Sequence, residues 1–439
     1  MAETTNKGYR SLVLILLTLV YTFNFVDRQI IGILSPFIQA DLGLSNSQLG
    51  LLKGFLFALF YTVIGIPIAW LADRYNRVNI VSASLAVWSG FTALTGMAGS
   101  FLTIGLARMG VGIGEAGGSP PSHSIISDLY PKEERATALG IYAIGIPFGL
   151  GFAYFIAGYA LGGDTNFSWR SLLIWLGVAG VIFAILLRLV VREPKRGQQE
   201  QLNEDEIKVG FSEALKTLLT IPSWWYMCLG ITFTSFVGYA LSNWQVDYLL
   251  PFDATNEKSY GFRWMMYVLA LLNMIPYGIG TYFGGAITEK FARKNVSYYG
   301  IVPGVSVLIC IPLVFAVFWA PTVPMHMFFG GFLLFFLGMY LGPSFAIAQT
   351  LAPINMRAMS TAIFFLVINI IALGGGPTSV GILADLFKEQ HGQVHALRLS
   401  ISIVSVFLVI GATFFFVVAK TLPKDWQDAQ LRNQSDSGS

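Results

Sequence analysis

The chain has 439 residues, 55% of them hydrophobic and only 12% charged, with a mean hydropathy of +0.65 and a formal net charge of +3. A water-soluble domain carries about 25% charged residues, so this composition excludes a soluble globular protein and points to the bilayer as solvent. The small basic excess is scattered between apolar segments, which excludes a nucleic-acid-binding stripe or tail.

The first apolar stretch, 11–40, is too long for the core of a signal peptide, and no small-residue cleavage site follows it. It is predicted to be a retained membrane span. Five more stretches follow, at 48–72, 79–99, 102–128, 135–160 and 170–191. A second set falls at 223–250, 263–288, 296–319, 324–350, 357–385 and 397–420. A span needs roughly 20 apolar residues. These runs are continuous rather than alternating, so they predict helices, not barrel strands. The expectation is an all-α integral membrane protein with twelve transmembrane helices in two pseudo-symmetric six-helix bundles, over 1–191 and 222–421. Between the bundles, 192–221 begins as a polar linker and ends in Phe211, Ala214, Leu215 and Leu218, spaced for an interfacial helix. A cytoplasmic tail is expected over 422–439, disordered after Lys424. Most of the 27 Lys and Arg, among them Lys7, Arg10, Arg135, Arg192, Lys195, Lys216, Lys420 and Lys424, fall on one side of these spans. The positive-inside rule then puts both termini in the cytoplasm.

Cys228 and Cys310 lie inside apolar runs and are expected to be packing residues, without a disulfide. No metal-ligand spacing, nucleophile constellation or nucleotide loop is present in the sequence. Neither an enzyme nor ATP-driven transport is expected, and no cofactor is called for beyond a coupling proton.

Charges deep in spans are costly and usually functional. Four stand out: Asp27 and Arg28 in the first span, Arg108 and Glu115 in the fourth. Asp27 lies about 16 residues into its span, well inside the hydrocarbon at roughly 1.5 Å per residue. Arg108 and Glu115 are seven apart, so they share a helix face at about 10 Å along the axis. Arg28 points about 100° away from Asp27 and is expected to face a neighbouring helix, which leaves Arg108 as the principal cation. Two readings stay open, a static ion-pair network and a proton-coupling and headgroup-binding site. Asp27 and Glu115 are the candidate proton carriers; Arg28, Arg108 and Glu115 are the candidate substrate ligands. His123, after Pro120-Pro121, is expected to be interfacial.

The fifth span reads Gly140-Ile-Tyr-Ala-Ile-Gly145-Ile-Pro147-Phe-Gly149-Leu-Gly151. Its small residues permit close helix approach, and Pro147 removes a backbone donor; Gly145 and Pro147 are the candidate bending residues. Gly374-Gly-Gly-Pro377 holds the corresponding place in the second half. The second half otherwise offers Asn243, Asn273 and Asn369 with few deep charges. Its aromatics, Phe236, Tyr239, Trp244, Phe335, Phe336 and Tyr340, are expected to pack or face lipid. A polar first half against an apolar second half would suit a substrate with a charged head and a long tail.

The halves repeat. Ala69-Trp-Leu-Ala-Asp73-Arg74-Tyr-Asn76-Arg77 follows the second span, and Gly285-Ala-Ile-Thr-Glu289-Lys290-Phe-Ala292-Arg293-Lys294 follows the eighth. Pro131 precedes Arg135-Ala136 as Pro353 precedes Arg357-Ala358. Repeat halves are typical of secondary transporters.

The acid–base turn resembles the major facilitator signature, Gly-x-x-x-Asp-Arg-x-Gly-Arg-Arg, with Ala69 and Asn76 replacing glycines in the first copy and Ala292 in the second. The resemblance covers nearly the whole chain. It implies the major facilitator fold and a cytoplasmic latch formed by Asp73, Arg74, Arg77, Glu289, Lys290 and Arg293. Asn24-Phe-Val-Asp27-Arg28, Arg108-Met-Gly-Val-Gly112-Ile-Gly114-Glu115-Ala116 and Ser127-Asp128-Leu129 resemble, more narrowly, the spinster family of lysolipid and sphingolipid transporters. Short loops without an organellar targeting signal suit a bacterial inner membrane, and a monomer is expected. The spinster resemblance implies transport of lysophospholipid or a related amphipathic anion, with proton coupling, by alternating access. The Gly145-x-Pro147 segment is similar to a motif of exporting members. An organic-anion or sugar-acid symporter is the alternative, since Asn-x-x-Asp-Arg in the first span resembles that branch too; multidrug efflux is a third.

Overall fold

The computed structural model describes residues 7–72, 74–163, 167–195, 211–255, 259–353 and 356–437. Helix covers every apolar stretch expected from the sequence, and no strand occurs among the described residues. The chain divides into two units.

The first unit contains α1 (Lys7–Leu42), α2 (Asn46–Lys53), α3 (Phe55–Ala72), α4 (Arg77–Gly96), α5 (Phe101–Glu115), α6 (Ser119–Leu129), α7 (Lys132–Ala143), α8 (Gly145–Leu161) and α9 (Trp169–Val190). Residues 245–250 and 260–270 also belong to it. The second unit contains α10 (Phe211–Leu219), most of α11 (Pro222–Ala254) and of α12 (Phe262–Met274), then α13 (Pro276–Ala292), α14 (Tyr298–Phe318), α15 (Val323–Gly338) and α16 (Leu341–Thr350). It ends with α17 (Arg357–Ile368), a π segment (Asn369–Gly374), α18 (Gly375–Val404) and α19 (Val406–Ser437).

Prolines explain why several apolar runs fold as half-helices. A proline has no N–H for the carbonyl four residues earlier. Pro120 and Pro121 withdraw the partners of Ala116 and Gly117, and α5 ends at Glu115. Pro147 does the same to Ala143, where α7 ends. Pro343 leaves Met339 at the α15–α16 break, and Pro377 leaves Leu373 inside the π segment.

Nine helical runs of the described residues are long and apolar enough to cross a membrane. The last, Met359–Arg432, is 74 residues, several times the roughly 20 that a span needs. It turns at Gly392, whose φ of +73° suits glycine. Large apolar side chains stay bare on the helix surfaces, such as Leu189 at 79% and Phe328 at 63% exposure, as lipid contact requires.

The same packing partners recur in both units. In the first, α4 lies on α9, α3 on α5 and α1 on α8; in the second, α14 lies on α19 and α13 on α15. Glycines set these close approaches. A Cβ on Gly149 of α8 would lie 2.7 Å from the Thr22 carbonyl of α1, and one on Gly376 of α18 would lie 2.3 Å from the Phe236 carbonyl of α11. Both cysteines are buried and free.

The end of the chain departs from expectation. Rather than a disordered tail, α19 continues helical past Lys424 because its polar residues find partners in the second unit. Asp425 accepts from the Ser223 backbone at 2.8 Å, Trp426 stacks on Tyr299, and Arg432 donates to the Leu351 carbonyl at 2.6 Å. The sequence 192–221 is described only over 192–195 and from 211; within it α10 forms and buries Leu218.

Candidate functional site

The four deep charges of the first half converge. Asp27, Arg108 and Glu115 are at most 4% exposed. Arg28 Nε donates to Glu115 Oε2 at 2.7 Å. Asp27, about 100° around α1, turns instead toward α4 and accepts from Thr92 Oγ1 at 2.9 Å. Arg108 lies within electrostatic reach of both carboxylates. Its Nε has no hydrogen-bond partner among the described residues, and neither has Glu115 Oε1. Two arginines thus face two carboxylates, and Arg28–Glu115 is the ion pair they form among the described residues. Aromatic faces from α1 and α3 supply the rest of the cations' surroundings: Arg28 lies over Tyr61 at 4.5 Å and Arg108 over Phe57 at 5.1 Å.

The ranking of the two arginines therefore changes. Arg28 does face a neighbouring helix, and that helix is α5, where it meets Glu115 directly. Arg108, nearly two turns before Glu115 on the same face of α5, acts on it through space. Along α5 the seven-residue spacing sets the two backbones about 10 Å apart, and the Arg108 guanidinium lies over Phe57.

Glycine explains how α5 presents Glu115. A Cβ on Gly112 would lie 2.7 Å from the Phe57 carbonyl of α3. One on Gly114 would lie 2.5 Å from the Trp88 backbone nitrogen of α4. Two residues apart, the glycines face different neighbours, wedging α5 between α3 and α4 and leaving Glu115 directed at α1. The Gly-x-Gly-Glu-Ala sequence is thus a packing device that carries a carboxylate at its end.

The acid–base turns are less alike in space than in sequence. Asp73 lies outside the described residues. Arg74 is exposed and stacks at 4.0 Å on Trp70 of its own helix. Arg77 is 1% exposed and is clamped within the first unit: it pairs with Asp128 at 2.5 Å and Glu193 at 2.6 Å, and donates to Ser124 Oγ. Glu289, Lys290 and Arg293 of the second copy are all exposed, and no ion pair forms at them among the described residues. The side chains of Ala136, Arg357 and Ala358 lie outside the described residues.

Gly145 and Pro147 flank the break between α7 and α8 at Ile144, and Gly145 packs on Thr18 and Tyr21 of α1. His123 is exposed on α6 and meets the Tyr142 ring edge-on at 5.1 Å. In the second unit, the Trp244 indole donates to the Pro377 carbonyl at 2.8 Å, Tyr340 bonds Ser235, and Asn243 donates to the Tyr239 carbonyl. These groups serve packing.

Sequence reasoning passed over several polar residues. Thr92, the partner of Asp27, carries no signal on its own. Lys53 and Asp247, both buried in apolar runs, meet the same deep-charge criterion as Asp27. Asp247 is one of the few deep charges in the second six apolar stretches. No cluster of metal-ligating side chains occurs among the described residues.

Comparisons with known proteins agree with this architecture. Residues 17–377 match the family described as Major Facilitator Superfamily. An MFS-type efflux pump of Mycolicibacterium smegmatis is 27% identical over 409 residues, 93% of this chain and 92% of that protein. Protein spinster homolog 1 of Xenopus laevis is 25% identical over 450 residues, 98% of this chain and 85% of that protein. The crystal structure of a bacterial homologue of the human lysosomal transporter Spinster, in an inward-facing and unoccupied conformation, superposes with a TM-score of 0.87 at 32% identity, covering 96% of this chain and 99% of that one. The chain belongs to the major facilitator superfamily: it is a multi-pass membrane transporter, not an enzyme, and a homologue of the spinster proteins.

Proposed function

We propose that this protein is a proton-coupled secondary transporter of lysophospholipid or a related amphipathic anion, working by alternating access. The observation that carries the reading is the Arg28–Glu115 pair, buried among apolar helices with Asp27 and Arg108 beside it. An anionic headgroup can take the place of Glu115 on Arg28 once Glu115 accepts a proton. Proton and anion then bind together, because each relieves the charge imbalance the other would create. Arg108 supplies the second positive charge, and Asp27 is the second candidate proton carrier. The similarity to spinster proteins supports the family resemblance from which a lipid-like substrate is expected.

In this reading the chain forms twelve spans, six in 1–191 and six in 222–421, joined by the cytoplasmic segment 192–221. It works as a monomer with both termini in the cytoplasm of a bacterial inner membrane. Asp73, Arg74, Arg77, Glu289, Lys290 and Arg293 control cytoplasmic access, and the break at Gly145 and Pro147 lets α8 bend. The similarity to an efflux pump favours a second reading, export of amphipathic compounds through the same site.

The test is flux of a fluorescent lysophospholipid in proteoliposomes, with and without a pH gradient, for the parent protein and Glu115→Gln. Gradient-driven flux that is lost in the variant is the expected result. Lipid flux indifferent to both would remove the proton role. Folded protein that moves no lipid would turn the reading to a small organic anion, or, if cationic dyes move, to efflux.

A further inference from the structure

The first unit buries another ion pair, separate from the Arg28–Glu115 cluster and from the Arg77 clamp. Lys53 ends α2, and Asp247 lies in the 245–250 segment of α11, which belongs to the same unit. Lys53 Nζ donates to Asp247 Oδ2 at 2.6 Å, with the two side chains 0% and 2% exposed. Ser35 Oγ of α1 donates to the same oxygen at 2.7 Å. Asp247 Oδ1 accepts no hydrogen bond among the described residues. Tyr154 of α8 is within electrostatic reach of Asp247, and its hydroxyl accepts from Gln29 of α1 at 3.0 Å. Tyr248 and Leu249, next along α11, are fully buried.

A permanent helix contact has little use for such a pair. Removing both charges from water costs several kcal/mol per ion, and well-packed apolar residues of similar size commonly hold as well or better. The same unit shows the apolar alternative close by. The 260–270 segment docks through Phe262 on Phe37, Tyr267 on Phe155, and Met266 against Gly158. A charge pair differs from these contacts in one respect: when it parts, each partner is rehydrated, so separation recovers much of what burial cost. It also fixes a single register, because Lys53 is the one cation that faces the carboxylate among the described residues.

We propose that Lys53 and Asp247, with Ser35, form a releasable latch that holds the 245–250 segment to the first unit in this conformation and lets it go during the transport cycle. The two are positioning residues. The proposal does not depend on which substrate is carried, and its test needs none.

The test uses the full chain in nanodiscs, in a Cys228→Ala/Cys310→Ala background with Leu249→Cys as a buried reporter of segment release. Labelling by a water-soluble maleimide and the thermal midpoint are measured together. Asp247→Asn should speed labelling roughly tenfold, since labelling tracks the open population. The swap Lys53→Asp/Asp247→Lys should return it to within about twofold of the parent. The apolar pair Lys53→Met/Asp247→Leu should label several-fold more slowly than the parent with an unchanged or higher midpoint. Should the single variant fail to fold, the swap and the apolar pair still decide. An apolar pair that labels at the parental rate, or a swap that labels as fast as Asp247→Asn, would overturn the latch and leave a fixed structural clasp.

Discussion

The two units solve the same packing problem with different interiors. Each lays its helices together through glycines that meet a neighbour's backbone, Gly112 and Gly149 in the first, Gly284 and Gly376 in the second. The first unit buries Asp27, Lys53, Arg77, Arg108, Glu115 and Asp247. The second relies on amides, hydroxyls and indoles such as Asn243, Ser235 and Trp244, each tied to a nearby backbone or hydroxyl group. Since the second unit holds together without a comparable set of interior charges, the fold does not require them. Intramembrane charge is expensive and is kept where it acts. On the proposed reading, the chemistry falls to the first unit and the second supplies apolar surface.

The sharpest way to break that contrast is to unpair the cluster. Arg28→Ala leaves Glu115 buried without its ion-pair partner. Removing one member of a buried pair typically costs about 3–5 kcal/mol, so the variant should show a large drop in thermal midpoint and no flux. Arg28→Met/Glu115→Gln should recover most of the midpoint and none of the flux. If the double variant still transports, the cluster is structural and the contrast between the units loses its meaning.

Next come the two copies of the acid–base turn. Arg77→Ala strips the counter-charge from Asp128 and Glu193 and should destabilise by about 3 kcal/mol or more. Arg293→Ala, at an exposed position with no ion pair among the described residues, should stay within about 0.5 kcal/mol. Parallel denaturation in detergent measures both, and equal losses would show that the second copy is clamped as the first is.

The turn also shows what a sequence can and cannot disclose. The apolar runs and the charges interrupting them were legible because lipid makes both conspicuous. Half-helix breaks were partly legible from prolines such as Pro147 and Pro343. The partners of Arg77 were not: Asp128 and Glu193 lie 51 and 116 residues away, and only the packed ends of α4, α6 and α9 bring them together. For the same reason Arg28 rather than Arg108 bonds Glu115. Which cation reaches a carboxylate depends on how α1 is rotated against α5, and spacing within one helix carries no information about that. The helical end of α19 was illegible too, because its polar composition describes a tail until Ser223, Tyr299 and Leu351 are in place to receive it.

A smaller effect separates packing from presentation. A methyl group on Gly114 would press on the Trp88 backbone, and one on Gly280 would press on the Phe335 carbonyl. Overpacking of this kind costs roughly 1–3 kcal/mol, so Gly114→Ala and Gly280→Ala should lose similar stability. Flux normalised to folded protein should nonetheless fall much further in Gly114→Ala, because only there does the displaced helix carry Glu115. Gly90→Ala, with open space around it, serves as the neutral control.

The weakest expected effect compares helix starts. Ser45 closes a full capping box on α2, accepting from the Gln48 amide at 3.1 Å while its own amide donates to the Gln48 side chain at 3.0 Å. Thr322 caps α15 with one long bond, 3.5 Å from the Met325 amide. Replacing a good cap by alanine costs about 1 kcal/mol, so Ser45→Ala should lower the thermal midpoint measurably and Thr322→Ala hardly at all. Because α2 ends at Lys53, the loosened start also frees the helix that carries the latch cation. Ser45→Ala should therefore raise maleimide labelling of Leu249→Cys modestly, while Thr322→Ala should leave it unchanged. Equal labelling in the two variants would mean that the short α2 holds Lys53 in place without its cap.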